Sequence, residues 1–194
     1  MSIGLISYKL IQRIINKIAT LVFKPGFHSF GSRSVIALPF RSGMERRISI
    51  GSRVYIGQHC WIEAMVEPET GLNPLIEIGD DVSLSGFCTI TAVSKVIIGR
   101  GALIARFVHI SDHSHATHVR DHFIKDQGVA KIASVIIGEG SWIGHGVVIC
   151  PGVTVGRNAV IGANSVVRED VPDFCVAAGC PARIVKSPAQ SAVS

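Results

Sequence analysis

Aromatic residues are scarce in this chain: 6% of 194 residues, against a hydrophobic share of 47%. So little ring surface excludes a core centred on aromatic packing. The few rings are not interleaved with basic groups, which also excludes a stacking platform for nucleic acid. Charge is sparse too, at 17%, and acids are nearly missing from one end. Residues 1–53 hold nine Lys/Arg and one acid, Glu45, a balance of +8; the remaining ten bases and thirteen acids give −3. The basic character therefore belongs to the N-terminal end and not to the body. The five cysteines (60, 88, 150, 175 and 180) include no C-x-x-C pair, and their number is odd. That points to a reducing compartment rather than a disulfide framework. Lys9, Arg13 and Lys17 break the one long apolar stretch near the N-terminus, so neither a spanning helix nor a secretory signal is expected. The expected location is the cytoplasm.

What is abundant is order at a period of six. Ile50, Ile56, Ile62, Ile78, Leu84, Ile90, Ile98, Ile104, Ile110, Ile137, Ile143, Ile149, Val155, Ile161 and Val167 are all large aliphatics standing six apart within runs. Four residues after each stands a small or β-branched one, from Val54 and Cys60 through Val66, Ser94, Ser114 and Ser165 to Val171. Glycine follows the aliphatic residue in eight of the fifteen, where a turn wants little side-chain bulk. An α-helix turns through about 240° over six residues beyond its first full revolution and cannot keep such a pattern on one face. An extended chain that turns a corner every six residues can. Three sides close a coil of about eighteen residues, and stacking at about 4.8 Å per coil gives a prism roughly 25–30 Å long for five or six coils. The spacing thus predicts an all-β solenoid over residues 25–172, with Ile36 as an inward residue of a partial first coil and residues 173–194 as cap and tail. The thiols of Cys60 and Cys88 fall on inward positions as small apolar fillers.

The rhythm stops at residues 68–77, at the pair Val96–Ile97 and at residues 116–136. Insertions in solenoids become loops, often on the functional face. The last break follows "ISDHSHATHV" (110–119), which crowds His113, His115 and His118 together, with His122 beyond. With Ile110 and Ser114 inward, His113 projects outward from a rigid wall, where a neutral imidazole suits a general base. Neighbours on an extended chain point to opposite faces, so no direct Asp112–His113 pair is expected unless the loop bends there.

Residues 1–24 form a separate element. Ile3, Leu5, Ile6, Leu10, Ile11, Ile14, Ile15, Ile18, Leu21 and Val22 predict a helical apolar stripe, with Lys9, Arg13 and Lys17 on the other side. Two readings stay open: a helix packed on the solenoid or on another subunit, and a helix lying on the inner face of a membrane, drawn by anionic lipid.

The stretch "IGEGSWIGHGVVICPGVTVGRNAVIGANSVVREDVPDFCVAAGCPARIVK" (137–186) resembles the C-terminal half of the hexapeptide-repeat acyltransferases, above all the maltose, galactoside, nodulation-factor and polysaccharide O-acetyltransferases. The likeness covers about residues 48–186. It implies a left-handed parallel β-helix, a homotrimer with sites between neighbouring subunits, and acetyl-CoA as donor. It implies that His113, which begins the loop leaving the third coil, is the base; Asp112 is a candidate for binding the acceptor or orienting the base through the backbone, and His115 for contact with the acceptor or the thioester. By position it implies a donor site from Trp142, Gly144, His145, Gly162, Ala163 and Ser165, with Arg168, Arg183 and Lys186 near the nucleotide phosphates. An acceptor site at Ser85 and Phe87 departs from the family, whose sugar enzymes carry an Asn-containing stretch there; Arg168 and Glu169 also replace the usual Thr and Lys. Zinc is not expected, because the third ligand position of related carbonic anhydrases is Glu77 here. The reading is an acetyl-CoA-dependent O-acetyltransferase for a sugar hydroxyl, of a cell-surface polysaccharide or its precursor. An N-acetyltransferase of an amino sugar or xenobiotic and a non-catalytic assembly subunit are the alternatives.

Overall fold

The computed structural model describes residues 3–65 and 73–188. After one helix, α1 (Ile3–Phe23), the chain passes in turn through three parallel sheets, so that each strand pairs with the strand laid on the same wall by the next turn. The first and third walls each carry six strands. The second carries eight, because Val176–Gly179 and Ala182–Lys186 extend it as a closing antiparallel pair. All fifteen aliphatic residues of the six-residue series are buried inside the coil, as is Ile36.

The register explains why the repeat must be strict. Ile50, Ile78, Ile98, Ile137 and Val155 lie on matching strand positions of the first wall, so like side chains stack along one column. Slipping by one residue would turn every one of them outward. The small inward positions hold as well, except at the breaks. Ser94 is exposed and Ser114 only half-buried. There the predicted alternation fails because Val93–Lys95 forms an irregular corner and Ser114 has already left the coil. Val66 and residues 68–72 of the first predicted insertion lie outside the described residues.

The long insertion is a hairpin arm. Ser114–His115 pairs antiparallel with Val129–Ala130, and Gln127 closes the tip by bonding the backbone of Val119 and His122. The arm returns to the coil where Ala133 N–H donates to Asp112 O at 2.9 Å.

Helix α1 docks on the coil, but its apolar stripe is not the face it uses. It docks by its polar side. Thr20 Oγ1 accepts from Ile36 N–H at 2.9 Å and Asn16 Oδ1 from Leu38 N–H at 3.1 Å. These bonds take up amides at the open end of the first coil, which no earlier strand could satisfy.

Candidate active site

The third wall sets up the site. Arg41, Trp61, Thr89, His109 and Val148 form an outward column in register. Beside it Gly43, Glu63, Thr91 and Ser111 form a second column at the strand ends. His113 follows the last of these. The groove in front has a volume of about 360 Å³ and is lined by Trp61, Thr89, Thr91, His109, His113 and His115, among others. Trp61 is held from behind, its Nε1–H donating to Glu63 Oε2 and the Arg41 guanidinium lying 4.3 Å from its ring centroid.

Asp112 corrects the sequence-based expectation. The chain bends as it leaves the strand, and the carboxylate turns fully inside. Asp112 Oδ1 sits 2.8 Å from His113 Nδ1. The same carboxylate accepts backbone N–H bonds from Val93 at 3.0 Å, Ser94 at 2.7 Å and Lys95 at 2.7 Å. The alternation rule that argued against an Asp112–His113 pair assumes a straight strand, and the strand ends at Ser111. Buried and saturated by these donors, Asp112 has no oxygen facing the groove; it positions the His113 ring and is not placed to touch an acceptor. Ser111 Oγ donates to His113 O at 2.9 Å and accepts from His113 N–H at 3.3 Å, so the backbone of the histidine is clamped as well as its ring.

This arrangement fixes the tautomer. A carboxylate only accepts hydrogen bonds, so Nδ1 of a neutral His113 carries the proton and Nε2 keeps the lone pair. The side chain of His113 is only 10% exposed, which limits its rotation. His109 is a groove residue that reading the sequence missed. It stands immediately before the inward Ile110, and an outward polar residue on the wall that ends at His113 was the available signal. Partial burial and the neighbouring His113 push its pKa below the ordinary histidine value, which favours a neutral ring.

The other expected residues divide. His115 is exposed at the base of the arm and lines the groove. Ser85 and Phe87 belong to the opposite corner, with the width of the third wall between them and His113. Phe87 stacks on His59 and Phe107 with centroids 4.5 and 4.9 Å apart, and Phe107 meets His145 edge-on at 5.2 Å. Trp142 stands on the second wall, exposed and in register with Leu103. Gly144 is demanded by stacking: a Cβ there would lie 2.6 Å from Ile161 O and 2.7 Å from Ala163 N. Gly162 is similarly tight against Ala178, at 2.9 Å, while Ala163 is exposed.

Ser165 is a second correction. It is fully buried, its Oγ donating to Gly162 O at 2.7 Å and accepting from Gly179 N–H at 3.0 Å. Its inward place in the repeat overrides the donor-site role expected for it. Arg183 pairs with Glu169 at 3.3 Å. Arg168 and Lys186 are exposed, and among the described residues neither forms an ion pair with an acid. Glu77 is occupied by Lys95 Nζ, which also donates to Pro74 O at 2.7 Å.

A triangular coil of hexapeptide strands with an oriented imidazole at a broken corner defines the class. Residues 134–169 match the family model described as bacterial transferase hexapeptide (six repeats). Over 147 residues the chain is 37% identical to the galactoside O-acetyltransferase of Escherichia coli, covering 75% of this chain and 70% of that protein. It is 36% identical over 118 residues to the putative lipopolysaccharide biosynthesis O-acetyl transferase WbbJ of the same organism, covering 58% of this chain and 60% of that protein. The crystal structure of AntD, an N-acyltransferase from Bacillus cereus in complex with dTDP and 3-hydroxybutyryl-CoA, superposes with a TM-score of 0.73 over 90% of each chain at 21% identity. This last likeness concerns the fold. The chain belongs to the hexapeptide-repeat acetyltransferase family.

Proposed function

We propose that the protein is an acetyl-CoA-dependent O-acetyltransferase acting on a sugar hydroxyl, with His113 as general base. The observation that carries this reading is the Asp112–His113 pair, anchored by three backbone N–H groups from the preceding coil. The names of the relatives support acetyl transfer to oxygen.

His113 Nε2 takes the proton of the acceptor hydroxyl as its oxygen attacks the thioester carbonyl. The C–S bond then breaks, and the imidazolium returns the proton to the departing CoA thiolate. Atoms and charge balance without a covalent enzyme intermediate. Asp112 steadies the imidazolium while it exists, as a carboxylate behind a histidine does in other acyl-transfer sites. Positioned base catalysis supplies about 10²–10⁴ in rate, and holding both substrates in one groove supplies more.

The donor residues that fit are Trp142 with Leu103 on the second wall, the bare backbone at Gly144 and Gly162, exposed Ala163, and the cations Arg168 and Lys186. All but Arg168 belong to the second wall, whereas Arg168 follows the last strand of the third wall, the wall of His113. A neighbouring copy bringing its second wall to this groove would complete the site, which is the support for a homotrimer. The test is CoA-thiol release from acetyl-CoA across sugars, amino sugars and nucleotide-sugars. An ester product on a sugar hydroxyl is expected. Transfer solely to amines would replace the reading with N-acetylation, and absence of CoA binding would replace it with an assembly role.

A further inference from the structure

The helix at the N-terminus buries the wrong side. Asn16 and Thr20 face the coil, while Ile11, Ile14, Ile18, Leu21 and Val22 on the opposite face are 50–70% exposed. At 3.6 residues per turn these five share one continuous stripe. Contiguous apolar surface of this kind marks a contact site rather than ordinary solvent exposure. From these features we infer that α1 lies in the plane of an anionic bilayer and seats the N-terminal end of the coil on it.

Charge decides between a bilayer and a second copy of the chain. The helix carries Lys9, Arg13 and Lys17 and no acid, and residues 1–53 hold a balance of +8. Pairing the stripe with its own copy would bury the apolar face but supply no acid to these cations, which lie on the other side of the helix. A surface of anionic headgroups neutralises them and receives the apolar stripe at the same time. No helix among the described residues is long and apolar enough to cross a membrane, so the helix lies flat. The docking bonds fix the direction. The stripe faces away from the coil, which puts lipid on one side of α1 and protein on the other. His109 stands three strands along the third wall from Arg41 of the first coil. At about 4.8 Å per strand the catalytic groove would sit roughly 15 Å along the coil from that first turn.

The experiment is flotation of the full chain with phosphatidylcholine vesicles, with and without roughly one-third phosphatidylglycerol. The wild-type chain is expected to float with the anionic vesicles at least tenfold better than with neutral ones. Ile14→Asp/Ile18→Asp should abolish flotation. Lys9→Gln/Arg13→Gln/Lys17→Gln should weaken it on the order of 100-fold, about fivefold for each cation lost. Both sets of positions are exposed, and circular dichroism verifies that the coil stays folded. Wild-type chain left in the soluble fraction overturns the inference, as does undiminished flotation of the aspartate variant. A smaller particle in light scattering for that variant assigns the stripe to a second copy and overturns it too. Flotation reads no chemistry, so its outcome is independent of the proposed acetyl transfer.

Discussion

At the first corner of each turn the chain places a glycine, a polar residue and then a residue with left-handed backbone, and it repeats this without a break from Gly51 to Asn158. The left-handed residues Arg53, Asp81, Gly101, Gly140 and Asn158 have φ between 49° and 68°. Their corner stacks into a ladder of solvent-facing ion pairs, Arg53–Asp81, Arg100–Glu139 and Arg157–Asp173. The third corner never settles into such a pattern until the last coils. It breaks after Ala64, at Val93–Lys95 and again after Asp112, and among the described residues it holds the one buried acid. The difference is one of spare hydrogen-bonding capacity. In a regular corner backbone amides serve the next coil, whereas the irregular corner at Val93–Lys95 leaves three N–H groups free to hold a carboxylate. Regularity builds the wall, and its interruption makes room for a charge behind an imidazole.

The hardest blow to this comparison would be a third corner that does no chemistry. His113→Ala should lower kcat by at least about 10³-fold while thermal unfolding stays unchanged, measured by thiol release and calorimetry. Asp112→Asn tests the anchoring. Its amide NH₂ would face backbone donors and cannot receive the Nδ1 proton in the same way, so kcat should fall on the order of 10²-fold and stability by about 1–3 kcal/mol. Activity near wild type in that variant would show that the buried carboxylate only closes the loop.

The coil itself was open to reading because its cause is local: each six-residue step obeys one packing rule, and inward residues repeat in identical surroundings. The inward Ser94 and Ser114 were misplaced, since a rule of spacing carries no information where two extra residues or a hairpin arm shift the phase. The Asp112–His113 pair was hidden for the same reason. Its geometry depends on a bend and on amides from Val93–Lys95, seventeen to nineteen residues earlier. Ser165 shows the converse: the repeat already marked it as inward, and likeness to a family pulled it into the donor site. His109 had the right phase and the right wall, yet nothing in the spacing distinguished it from other outward residues.

A mid-sized effect belongs to the first corner. Gly99 has no room for a side chain, because a Cβ there would lie 2.7 Å from Glu139 N and 2.9 Å from Gly138 C. Gly99→Ala must push two coils apart, and urea unfolding should show a loss of about 1–3 kcal/mol. If it is neutral, the close approach of successive coils is not what makes this corner regular.

The pH response sharpens the contrast on the third wall. Partial burial and His113 lower the folded-state pKa of His109 beneath its ordinary 6.5. Between the two values the unfolded chain binds the proton more readily than the folded one, so the folded state gains with rising pH. The contribution is complete above about pH 6.5 and is lost as pH falls through the folded value. His109 is partly open to water, which weakens the effect, so His109→Asn should flatten the acid side of the stability curve only slightly, seen as a smaller drop in Tm between pH 7 and pH 5 than wild type shows.

The smallest effect should come from the most conspicuous contacts. Arg53 forms a two-pronged pair with Asp81, at 2.5 and 2.7 Å, and holds that carboxyl below its usual range. Both side chains are nearly half exposed, so water already solvates them and salt screens their attraction. The lowered Asp81 pKa would add stability above the ordinary carboxylate range and lose it on acidification through the folded value, but solvent leaves little of that coupling. Arg53→Ala should leave Tm at neutral pH within measurement error of wild type, and added salt should not separate the two. A clear destabilisation would mean that the charge ladder, rather than the column of glycines beneath it, holds the first corner together, and the two corners would then differ less than their geometry indicates.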